Sequence, residues 1–201
     1  MSTNPRYAMV IDLRKCVGCH ACSITCKMEN DVPEGHFRSW VVEADVGVYP
    51  NVTRAKLPRL CNQCDEAPCA TVCPVVATKK NENGIVTVDK DKCIGCRYCI
   101  AACPYDARYL DPETGIADKC DFCFDRVESG LMPACVSTCI AHSRIFGDLN
   151  DPNSEVSKLL SENSIQTLNP EYGTKSKVYY IGLDKVFATP DFQILRDKEA
   201  N

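Results

Sequence analysis

The sequence predicts a small α+β protein built as two related halves. Three observations carry that expectation: sixteen cysteines in four groups of four, a gapless internal repeat, and short alternating apolar segments that lead into two of the groups. Group one is CVGCHACSITC (Cys16, Cys19, Cys22, Cys26) and group two is CNQCDEAPCATVC (Cys61, Cys64, Cys69, Cys73). Group three is CIGCRYCIAAC (Cys93, Cys96, Cys99, Cys103), and group four is CDFCFDRVESGLMPACVSTC (Cys120, Cys123, Cys135, Cys139). VIDLRKCVGCHACSITC aligns on TVDKDKCIGCRYCIAAC without a gap, so groups one and three share a template. Groups two and four share an opening Cys-x-x-Cys and a closing Cys-x-x-x-Cys, with four residues between them in one and eleven in the other. The order is therefore A-B-A′-B′.

Along the chain, residues 7–13 and 85–89 alternate apolar and polar side chains and read as short strands. Beyond Gly147 the cysteines stop. Turn residues there precede Val156, Leu159 and Leu160 at helical spacing, which predicts a helix after Asn153. KVYYIGL, residues 177–183, reads as a strand, and the last dozen residues as a polar tail. A chain of 201 residues has room for one compact domain or two small ones. Its formal charge of −4 argues against a nucleic-acid binder, and no apolar run approaches the length of a membrane span. MSTNPRYAMVIDL has no twin arginine and its apolar stretch is broken by Asp12, which by itself points to the cytoplasm.

Cys-x2-Cys-x2-Cys-x3-Cys is the bacterial ferredoxin run: three thiolates wrap one [4Fe–4S] cube and the fourth ligates a neighbour. Group three ends Cys103-Pro104, as in the full form, and group two keeps Cys73-Pro74. Group one carries Lys27 and group four Ile140 at that position. Structural zinc sites pair two knuckles and need no third thiol three residues beyond the second. A disulfide framework needs an oxidising compartment, and three thiols at three-residue spacing point at one centre rather than three partners. The count then brings in group four: three such groups leave a ligand unpaired, whereas sixteen thiolates serve four clusters. Spacing allows groups one with two and three with four, or two with three and one with four. The shared Cys-Pro of groups two and three favours the second scheme without excluding the first.

With those motifs stated, the chain resembles the four-cluster iron–sulfur subunits of the membrane-associated molybdopterin (dimethyl sulfoxide reductase family) oxidoreductases. The resemblance runs from about residue 7 to 152, through MVIDLRKCVGCHACSITCKMEN, ACPYDARYL, KCDFC…PAC and FGDLNDP, and is nearest the polysulfide and thiosulfate reductase branch. It implies four [4Fe–4S] clusters on the quartets Cys16, Cys19, Cys22, Cys139; Cys26, Cys120, Cys123, Cys135; Cys61, Cys64, Cys69, Cys103; and Cys73, Cys93, Cys96, Cys99. It implies two ferredoxin-like halves related by a pseudo-twofold: 59–110 as one half, 1–58 completed by 111–150 as the other, with 151–201 as a C-terminal docking extension. The implied role is electron transfer, not catalysis, between a molybdopterin catalytic subunit and a quinone-interacting integral-membrane anchor in a polysulfide-, thiosulfate-, tetrathionate- or arsenate-type respiratory reductase. It also implies the periplasmic face of the membrane, reached by the twin-arginine route with a signal-bearing partner, with the cytoplasm as the alternative. A soluble polyferredoxin or a subunit of a cytoplasmic dehydrogenase is the alternative function. Relatives commonly carry proline where Ile140 stands, so a free Ile140 N–H aimed at a cluster sulfur is expected to raise that cluster's potential.

The remaining candidates have plainer readings. His20, His36 and His142 read as structural or surface histidines, and Tyr98, Tyr105, Phe122 and Phe124 as packing beside the ligands. Lys79, Lys80 and Arg97 read as solvated charge, and Trp40 as core.

Overall fold

The computed structural model describes residues 4–183. Four β-strands form the one extended sheet, in the order β8-β1-β10-β9. Its centre is β1 (Tyr7–Asp12), antiparallel to β8 (Arg144–Asp148) and parallel to β10 (Val178–Ile181), which pairs in turn with β9 (Ile165–Gln166). The run YAMVID is apolar at successive positions because both faces of this sheet are covered. Met9, Ile11, Val178 and Tyr180 face the main core beside the cysteine groups. Ala8, Val10, Ile145 and Ile181 face the other way, onto Val156 of helix α6 (Glu155–Glu162), whose N-terminus is capped by Ser154.

The cysteine groups lie on short helices between small hairpins. Helix α1 (Ala21–Glu29) belongs to group one, α2 (Pro68–Thr71) to group two, α3 (Tyr98–Ala101) to group three, and α4 (Phe124–Glu128) with α5 (Ala134–Ser137) to group four. Three two-stranded ribbons complete the fold: β2 (Ser39–Val48) with β3 (Asn51–Leu60), β4 (Thr78–Lys80) with β5 (Val86–Val88), and β6 (Arg108–Leu110) with β7 (Ala117–Lys119).

The expected strands at 7–13, 85–89 and 177–183 and the helix after Asn153 are present, each trimmed by a few residues. The expected polar tail, the last dozen residues, falls outside the described residues. The described part of the C-terminal segment is built into the core: Val178 and Tyr180 have no exposed surface. It also seals group two, since Lys175 and Thr174 carbonyls accept from the Asp65 and Glu66 N–H groups, and Lys177 N–H donates to the Asn62 carbonyl. Among the described residues no helix is long and apolar enough to cross a membrane.

Polar ties hold distant segments in register. Arg38, 7% exposed, makes a two-pronged pair with Asp118, both contacts at 2.7 Å, and donates to Asn30 at 2.7 Å, so it joins the segment after group one to the strand before group four. Gln63 donates to the Cys120 carbonyl and accepts from Val86 N–H, each at 2.7 Å, tying group two to group four. Removing one member of a buried ion pair leaves the other uncompensated. Arg38→Ala should therefore cost ~3–5 kcal/mol, read as a lower urea midpoint for the cluster-loaded protein under anaerobic conditions, while Arg54→Ala, at an exposed pair with Asp45, should leave the midpoint nearly unchanged.

Candidate iron–sulfur centres

All four groups fold on one local plan. The third residue of each Cys-x-x-Cys is in the left-handed region: Gly18 (φ 72), Gln63 (φ 47), Gly95 (φ 66) and Phe122 (φ 57). That turn aims both thiols inward. The third cysteine is then the second residue of a helix in every group: Cys22 in α1, Cys69 in α2, Cys99 in α3 and Cys135 in α5. The eleven-residue gap of group four is taken up by α4 and its exit turn, inserted before this shared plan resumes.

The fourth cysteine turns away from the other three. In groups two, three and four the residue three positions later is left-handed (Val76, Asp106, His142), and a strand begins two positions further on, at Thr78, Arg108 and Arg144. The N–H four positions on closes this turn against the thiol, Ala77 onto Cys73 and Ser143 onto Cys139, both at 3.2 Å. Proline after the cysteine suits the turn by refusing a continuing helix. Group one lacks it, and α1 runs past Cys26 to Glu29. Lys27 there donates to the Pro33 and His36 carbonyls, at 2.7 and 2.8 Å, and sits over the Phe37 ring. Ile140, at the same position in group four, is 71% exposed.

The outcome is that thiols from different groups meet. Cys61, Cys64 and Cys69 line a cavity with Cys103 of group three. Cys93, Cys96 and Cys99 line one with Cys73 of group two. Cys16, Cys19 and Cys22 line one with Cys139 of group four. Cys120, Cys123 and Cys135 gather with Cys26 of group one, whose thiol feels both Cys135 and Cys123 and has the Asn30 amide 3.7 Å away. Of the two pairings that spacing allows, the structure brings together groups two with three and one with four. Adjacent quartets lie within electrostatic reach in sequence: Cys22 of Cys135, Cys120 of Cys61, and Cys69 of Cys99.

The electrostatics say what such cavities need. Burial pushes the Cys26 and Cys64 thiols up to about 12 and Cys103 up to about 11, and moves the buried Cys120 thiol well above its ordinary value. Cys73 alone is moved down: burial opposes its thiolate, but the Thr78, Val75, Ala77 and Val76 N–H groups outweigh that. Neighbouring thiols so hard to ionise become thiolates when a metal supplies the countercharge. No group of three or more Cys, His, Asp or Glu among the described residues converges tightly enough for a single ion. Four thiols lining one cavity, three from one group and one from another, are the donor set of a [4Fe–4S] cluster.

Chain comparisons agree with the geometry. Residues 52–149 match the family model described as a 4Fe-4S dicluster domain. The B subunit of tetrathionate reductase from Salmonella typhimurium is 50% identical over 193 residues, covering 94% of this chain and 77% of the relative. The chain belongs to the iron–sulfur electron-transfer subunits of the molybdopterin oxidoreductases. The B subunit of selenate reductase from Mesobacillus selenatarsenatis is 42% identical, covering 88% of this chain and 72% of the relative. The thiosulfate reductase electron transfer subunit PhsB of Salmonella typhi is 45% identical, covering 80% and 84%. Members of this family bind [4Fe–4S] clusters and are not the catalytic subunits of their complexes.

The other candidates take structural places in this electron-transfer subunit. His20 is the left-handed residue before α1 and lies 3.4 Å from Glu43, while His36 stacks on Tyr109. Tyr105 and Phe122 are buried, Phe124 and Trp40 pack against the core, and Tyr98 is 62% exposed. Lys79 and Lys80 are exposed. Sequence reasoning passed over Gln63, Lys119, Arg108 and Arg144, all buried among the cysteine groups. The signal for the two arginines was available, because each stands five residues after the last cysteine of its group.

A Cβ on Gly95 would lie 2.3 Å from the Gly115 carbonyl oxygen, a backbone atom, whereas one on Gly18 would meet the movable ends of Glu43 and Lys56. Both substitutions carry the left-handed penalty of ~1–2 kcal/mol. Gly95→Ala should therefore bleach the visible cluster absorbance at distinctly lower denaturant than Gly18→Ala. Equal sensitivity of the two variants would contradict this account of the loop.

Proposed function

We propose that the chain holds four [4Fe–4S] clusters and carries electrons along them between a molybdopterin catalytic subunit and a quinone-linked membrane anchor. The observation that carries this reading is the meeting of three thiols from one group with the last thiol of another at each cavity. Each cluster supplies one-electron chemistry when bound. The chain's own residues position and enclose it. On this reading the ligand sets are Cys16, Cys19, Cys22, Cys139; Cys26, Cys120, Cys123, Cys135; Cys61, Cys64, Cys69, Cys103; and Cys73, Cys93, Cys96, Cys99.

The same pairing supports two ferredoxin-like halves related by a pseudo-twofold, residues 59–110 as one and 1–58 with 111–150 as the other; residues 151–201 are taken as the docking extension. The electrostatic reach between adjacent quartets supports a row whose ends hold Cys19 and Cys96, the two exposed cysteines. Relatives named for tetrathionate, selenate and thiosulfate reductases support a partner that acts on an oxidised sulfur or selenium compound. The terminal substrate is chosen in the catalytic chain. The complex belongs, on this proposal, at the periplasmic face of the membrane, exported with its partner.

Two experiments test this. The purified complex should contain about sixteen cluster irons for this chain's sixteen thiolates, and Cys139→Ser should alter or remove one cluster while three keep their signals. In complexes assembled without this chain, quinol-driven substrate reduction should be lost while reduction from a small artificial donor persists. Quinol activity that survives without the chain would contradict the proposal.

A further inference from the structure

Two buried arginines have cysteine thiols, and no carboxylate, as their charge partners. Arg108 and Arg144 each stand five residues after the last cysteine of their group and each is the first residue of a strand, β6 and β8. They are 6% and 3% exposed. Nη1 and Nη2 of Arg144 and Nη2 of Arg108 are buried with no oxygen or nitrogen acceptor. Among the described residues neither forms an ion pair with a carboxylate; the side chain of Arg144 faces the Cys135 thiol and that of Arg108 the Cys99 thiol, beside a 3.3 Å contact from Arg108 to Thr78 Oγ1. Arg38, equally buried, is saturated by Asp118 and Asn30. Burying a guanidinium is costly unless an anion faces it, and neutral thiols answer it only once they ionise as cluster ligands.

Their positions say what that is. Arg144 lines the cavity of the Cys16 quartet and lies within electrostatic reach of Cys135 in the next one. Arg108 lines the cavity of the Cys61 quartet and is within reach of Cys99 in the next. Each arginine therefore stands between the two quartets of its own proposed half. The junction between the halves is different: Lys119 there has its ammonium directed at the Val86 and Cys120 carbonyls.

Resting on the four-cluster reading above, we propose that Arg144 and Arg108 are the counter-ions of the two cluster pairs, each turning its free N–H groups toward sulfur of the two clusters it separates. Net charge and hydrogen bonds to sulfur set the potential of such clusters. A fixed cation at the junction favours the reduced form of both neighbours, so it holds both potentials up and keeps the pair close in potential. The role is one of positioning charge, and the arginines take no electron themselves.

The test is an EPR-monitored redox titration of the anaerobically purified complex, with iron and sulfide measured on the same samples. Arg144→Gln should lower two of the potentials by at least tenfold in the reduction equilibrium, about 59 mV for a one-electron step. Arg108→Gln should lower the other two, and the double variant all four. Arg144→Lys, which keeps the charge, should titrate nearer to wild type than Arg144→Gln. Full iron content with unchanged potentials, or a uniform shift of all four from one substitution, would overturn the proposal. If Arg144→Gln loses iron, Arg144→Lys decides: restored loading with potentials near wild type upholds it, and failure to restore loading assigns the arginine to packing alone and overturns it. A wild-type complex short of four clusters would instead overturn the underlying cluster reading before any variant is compared.

Discussion

A loop that turns three thiols onto one cavity carries its fourth thiol away from it. That constraint organises the rest of the molecule. The left-handed third residue of each Cys-x-x-Cys and the helix beginning beside the third cysteine close three sulfurs around a centre. The fourth cysteine then belongs to another cavity, so no group is complete alone. Group one needs Cys139 from more than a hundred residues downstream and lends Cys26 in return. The extended sheet serves this exchange, since β1 leads into group one and β8 leaves group four, and the two are paired strands.

Burial adds a second constraint on the same residues. Enclosing many thiols raises the cost of ionising each, as the upward displacement of Cys26, Cys64, Cys103 and Cys120 shows. The chain answers with fixed positive charge and dipoles rather than with water. Arg108, Arg144 and Lys119 are enclosed among the groups, and backbone N–H groups close on Cys73 and Cys139. Such an interior is unfavourable empty and favourable loaded, so folding and cluster insertion are coupled.

Much of this was legible because spacing encodes it. The groups, the repeat and the two template types could be read directly, and so could the strands at 7–13 and 177–183, whose apolar patterns reflect a sheet covered on both sides. The pairing of groups was not, since both schemes satisfy the same spacing and only tertiary approach separates them. Arg108 and Arg144 went unnoticed because an arginine before an apolar strand looks like ordinary surface charge until burial is known. The C-terminal segment likewise read as an appendage, although β10 lies at the centre of the sheet.

The central claim is the exchange of ligands between groups, and iron anomalous scattering from crystals of the anaerobic complex tests it most directly. The account predicts four compact iron peaks in this chain, one within each quartet, in a row that begins near Cys19, passes the Cys120 and Cys61 quartets, and ends near Cys96. Fewer peaks, a zinc edge at any of them, or a cluster bound by four thiols of a single group would contradict it.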